Sequence, residues 1–132
     1  MKKHTRLLLL LAGDALTIAI LTVIGFTSHN ETGLGFLPRM ATTYLPLVVS
    51  WFVAGWGLGL FDPSINNHPR KSWRALLAAL FAGPMAAILR GLLLGANVIP
   101  VFALVLSATT GLGMLIWRIT WAWLTAGRNA RR

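Results

Sequence analysis

The chain has 132 residues, of which 56% are hydrophobic and only 11% charged, with a net charge of +9 and no cysteine. Soluble domains carry about a quarter charged residues, so this composition leaves too little charge to cover a water-facing surface and points to the bilayer as solvent. Without cysteine there are no disulfides, no thiolate catalysis and no cysteine metal sites.

A spanning helix needs about 20 mostly apolar residues, since a ~30 Å hydrocarbon core is crossed at ~1.5 Å per residue. The first such run is Leu7–Thr27, in which Asp14 is the one charge. Lys2, Lys3 and Arg6 before a leucine cluster resemble the start of a secretory signal peptide. Such a peptide has a short apolar region, whereas this run continues to full spanning length, so a retained helix is expected. The outer loop Ser28–Met40 follows, with Gly33, Gly35 and Pro38 favouring turns.

Ala41–Phe61 is the second run, and Gly55 with Gly59 supplies a G-x-x-x-G pair for close helix approach. The polar stretch Asp62–Ser72 contains Pro63, Pro69 and the pair Asn66–Asn67, and reads as a loop. Trp73–Leu94 is the third run, with a small-residue face at Ala79, Gly83 and Ala86–Ala87 and an expected kink at Pro84. The turn Gly95–Ile99 is so short that its flanking helices must be antiparallel neighbours. Pro100–Trp123 is the fourth run, where Ser107 and Gly111 again suit close packing, and Ala126–Arg132 is expected to fray. Barrel strands alternate apolar and polar residues over ~10 positions, and these runs do not. The expectation is one all-α domain over residues 1–132, an integral membrane four-helix transmembrane bundle.

Basic residues mark cytoplasmic loops. Lys2, Lys3 and Arg6 precede the first run, Arg70, Lys71 and Arg74 lie between the second and third, and Arg118, Arg128, Arg131 and Arg132 close the chain. On the other side Arg39 stands alone, with Arg90 just before the short turn. Both termini are therefore expected in the cytoplasm, with the protein in the inner (plasma) membrane. The charge is accounted for by topology and by attraction to anionic lipid headgroups, and no nucleic acid is expected. Trp73, Trp117, Trp121 and Trp123 gather toward the inner side, where indoles favour the headgroup boundary.

Charged side chains within spans are costly and need partners. Asp14 is seven residues past Leu7, about 10 Å from the inner side, and Arg90 is seventeen past Trp73, about 25 Å up. That difference in depth keeps them apart. Arg118 returns to the inner side on the descending fourth helix, so Asp14 and Arg118 can meet if the first and fourth helices are adjacent. By the same argument Arg90 belongs to an outer cluster with Ser28, His29 and Glu31. The plainer reading of both clusters is a set of staples fixing helix orientation. The functional one makes Asp14 a protonatable or cation site and Arg90 an anion receiver. His29 and His68 fall on opposite sides and His4 in the tail, so no metal or other cofactor is expected. No catalytic motif stands out either.

Gly13–Asp14, then Ile24–Gly25 with Ser28–His29 and Glu31, resemble the opening of a family of short bacterial and archaeal membrane proteins, domain of unknown function three thousand and fifty-four. Pro46, Gly55–Trp56, Arg90 after a Gly-Pro-Met stretch, Phe102 and Trp117–Arg118 extend the resemblance over nearly the whole chain. Where the family pattern has a pair of arginines before the Ser-His, this chain has Phe26–Thr27. The resemblance implies four transmembrane helices and no established activity.

The expected function is a non-catalytic accessory or structural membrane component, within a larger membrane complex or a homo-oligomer. The alternative is a small oligomeric transporter or channel using Asp14 and Arg90. A lipid-acting intramembrane enzyme has only Asp14 and His29 to offer, at different depths.

Overall fold

In the computed structural model, residues 2–28, 30 and 33–130 are described. Helix α1 (Lys3–Ser28) leads to a 3₁₀ turn at Leu34–Phe36 and then to α2 (Leu37–Gly57). Pro38 occupies the first turn of α2, where its missing N–H is no loss. The second helix thus begins and ends four residues earlier than the apolar run Ala41–Phe61. Its C-terminus is decided by Gly59, whose φ of +73° is left-handed backbone suited to glycine. Gly59 therefore lies in a turn, and the expected G-x-x-x-G pair is not a helix face. Gly55 instead packs against the chain folding back beneath it, at Leu60 and Phe61.

Asp62 then caps a single helical turn, α3 (Pro63–Asn66), by accepting the Ser64 N–H at 2.9 Å. After a 3₁₀ turn at Pro69–Lys71, α4 (Arg74–Leu94) runs through Pro84 as one helix and stops at Gly95, which is left-handed at φ +62°. The last helix, α5 (Pro100–Ala130), starts on proline and extends seven residues beyond Trp123. Of the stretch Ala126–Arg132, expected to fray, the part up to Ala130 is helical and Arg131–Arg132 lie outside the described residues.

The four long helices form a ring: α4 lies between α2 and α5, and α1 lies against both α2 and α5. Its core contains Ile18, Leu47, Trp51, Leu60, Met114 and the alanines Ala75, Ala78, Ala79 and Ala86. The buried face of α4 is made wholly of alanine and glycine, small residues that let helix backbones approach closely. Gly83 is the tightest point, since a Cβ there would lie 2.8 Å from the Ser107 Cα. Outward-facing positions are apolar, among them Leu16, Ile20, Val49, Val53, Leu80, Ile88, Leu112 and Ile116. Among the described residues there is no strand. Three helical segments are long and apolar enough to cross a membrane: Lys3–Ser28, Pro69–Leu94 and Pro100–Arg128.

Candidate functional site

The inward stripe of α1 is Leu10, Asp14, Ile18 and Thr22, each four residues from the last, so the helical period places an acid on the core side. Asp14 is fully buried. From α5, Arg118 grips it in a fork, with Nη2 donating to Oδ2 at 2.6 Å and Nε to Oδ1 at 3.1 Å. Two indoles complete the set. Trp117 Nε1 donates to Oδ1 at 2.8 Å and Trp51 Nε1, from α2, to Oδ2 at 3.0 Å. An ionised carboxylate has about four acceptor positions, and all four are occupied by donors of the same chain.

Arg118 has a second task. Its Nη1 donates to the Leu60 carbonyl at 2.6 Å, and its guanidinium carbon stands 5.3 Å from the Phe61 ring centre and 5.9 Å from that of Trp51. Arg74 treats the neighbouring Leu58 carbonyl the same way, at 3.0 Å. Both carbonyls belong to the turn that leaves α2 after Gly57, so the two arginines fasten that turn to α4 and α5. Tyr44 adds a further link from α2 to α1, donating its hydroxyl to the Ala15 carbonyl at 3.2 Å.

Gly13 explains itself beside this cluster. A Cβ on Gly13 would fall within the Trp117 ring, so glycine makes room for the indole that reaches its neighbour Asp14. Of the four tryptophans expected toward the inner side, Trp117 is half-buried on Asp14 and Trp121 is 8% exposed, so both are packed into the protein. Trp73 and Trp123 are exposed. An indole N–H seeks an acceptor wherever its ring is buried, and Asp14 is the strongest acceptor within reach.

At the opposite end, the partners of Arg90 among the described residues are the Thr43 hydroxyl, 3.0 Å from its Nε, and the face of Phe102, 4.8 Å from its guanidinium carbon. Ser28 bonds locally to the Gly25 carbonyl. His29 and Glu31, expected beside Arg90, lie outside the described residues. Thr43, Trp51, Tyr44 and the Leu60 carbonyl had no signal in the sequence beyond ordinary helix composition. Among the described residues no three metal-ligating side chains come together.

No curated protein and no solved structure matches this chain. Asp14, Trp51, Arg90 and Arg118 all fall within residues 11–121, the stretch matched by a family model, and by that match the chain belongs to the family described as Protein of unknown function (DUF3054).

Proposed function

We propose that this protein is a non-catalytic multi-pass membrane component, an accessory or structural subunit, whose intramembrane charges hold its own helices together. The observation that carries this reading is the saturation of Asp14 by Arg118, Trp51 and Trp117. A transport site for a proton or cation needs an acceptor that can be vacated and refilled. Here each acceptor position is matched by a fixed donor, and three of the four long helices contribute to the match.

In this reading all four long helices span the bilayer. Helix α2 has 21 residues, about 31 Å at ~1.5 Å per residue, and Leu45, Val49 and Val53 face outward on it. Its threonines and prolines lower its apolarity, yet it is flanked on both sides by apolar helices. The clustering of Lys3, Arg6, Arg70, Lys71, Arg74 and Arg128 at one end supports an inner-membrane orientation with both ends of the chain in the cytoplasm.

The test is purification from the source cell in mild detergent, followed by mass spectrometry. A larger membrane protein present in fixed ratio supports the accessory reading. A protein that emerges alone, and whose Asp14→Asn variant loses gradient-driven flux in proteoliposomes at unchanged thermal stability, overturns it in favour of transport.

A further inference from the structure

Beside the Pro69–Lys71 turn that leads into α4, the last turns of α5 leave a groove that the Asp14 cluster does not use. Its volume is about 740 Å³, within the ~300–1,000 Å³ of small-molecule sites. Pro69, Ala126 and the Trp123 ring give it an apolar wall, and His68, Arg70 and Lys71 supply its polar groups. Long basic side chains can lay their stems along such a wall and keep their charges in water.

Depth puts this groove at a headgroup layer. Trp123 is twenty-three residues past Pro100 on α5, about 35 Å at ~1.5 Å per residue. That is just beyond a ~30 Å hydrocarbon core, and Trp123 is 66% exposed there. The charge is equally telling. The chain has three acids. Asp14 is enclosed by its own cluster, Asp62 caps α3, and Glu31 belongs to the connection between α1 and α2. None of the described residues lining the groove is acidic. Lys71 donates to the Ser64 carbonyl at 3.2 Å and lends its charge to Asp62. Arg70 is exposed and has no acidic partner among the described residues.

We propose that this groove binds one anionic phospholipid, its phosphate against Arg70 and Lys71 and its glycerol and upper acyl chain along Trp123, Pro69 and Ala126. Basic pockets beside membrane helices take anionic head groups in this way. A zwitterionic lipid fits less well, because its ammonium would meet cations with no acid to receive it. The depth argument rests on the four-span reading proposed above. Binding in detergent reads the groove whichever way the chain faces, and whether or not a larger protein copurifies.

The experiment is native mass spectrometry of the full chain, stripped of lipid in mild detergent and titrated with phosphatidylglycerol or phosphatidylcholine. One phosphatidylglycerol per chain is expected at concentrations where phosphatidylcholine stays unbound. Arg70→Gln should weaken that binding about fivefold, the attraction of one basic side chain to an anionic headgroup. Trp123→Ala should weaken it several-fold by removing the wall. Both positions are exposed, so melting temperatures should stay at the parent value. Lys3→Gln removes the same charge outside the groove and should leave binding unchanged. Wild-type affinity in Arg70→Gln, an equal loss in Lys3→Gln, or equal binding of the two lipids would overturn the proposal. Displacement of the lipid by excess inorganic phosphate would overturn the lipid assignment. If Trp123→Ala instead releases a copurifying protein while phosphatidylglycerol binds as to the parent, the groove belongs to that protein and the proposal fails.

Discussion

At the scale of single residues, the Asp14 cluster makes sharp demands. Asp14→Asn removes the charge that compensates Arg118, which is 2% exposed. Breaking a buried pair from one side costs roughly 3–5 kcal/mol, so a large drop in thermal stability in detergent is expected, followed by circular dichroism. Gly13→Ala is predicted to be destabilising by about 1–3 kcal/mol, the usual penalty for overpacking, because the new Cβ displaces the Trp117 ring. Its signature is distinct from that of a surface change: near-ultraviolet dichroism from the displaced indole should fall along with stability. A Gly13→Ala variant with wild-type melting and spectrum would show that the ring is not held against α1.

At the scale of elements, the close approach of α4 and α5 depends on Gly83. Gly83→Ala places a Cβ against Ser107 side chain and backbone, where the backbone cannot yield cheaply, and about 1–3 kcal/mol of destabilisation is expected. Gly57→Ala is the matched comparison, since open space surrounds that position, and its melting temperature should stay near that of the parent. The cap of α3 has its own pH dependence. The Ser64 backbone N–H, and then its hydroxyl, hold the Asp62 carboxyl below its usual range. A carboxyl lowered in the folded state contributes above its unfolded value and stops contributing as pH falls through the lowered one. Protection of the Ser64 amide against hydrogen exchange should therefore be intact at neutral pH and decline only in acid. A protection factor unchanged down to strongly acidic pH would count against the cap.

For the whole molecule, the ring of four long helices places the start of α1, the end of α5 and the α2–α4 connection at one end, with the Gly95–Ile99 turn at the other. The chain has no cysteine, so single cysteines can report sidedness directly. A cysteine at Ser64 should react with an impermeant maleimide only in inside-out vesicles, and one at Asn97 only in intact cells or right-side-out vesicles. The reverse pattern would invert the orientation, and labelling of both from one side would exclude four spans.

Composition and apolar run length were enough to identify long helices, three of them apolar enough to cross a membrane, because hydrophobic length is a property of the chain before it folds. The third run was legible almost to the residue, since Gly95 ends it by backbone conformation alone. The second was not. Its apolar residues continue to Phe61, and only the left-handed turn at Gly59 and the return of Leu60 toward Gly55 end it at Gly57. Depth arithmetic along straight helices put Asp14 and Arg118 at one level, because rise per residue is fixed, while the adjacency of α1 and α5 that lets them meet came from the tertiary structure. Which further donors close around that carboxylate depends on how helices α2 and α5 are rotated about their axes, and rotation is set by packing. Trp51 and Trp117 therefore enter the cluster for reasons of tertiary structure alone.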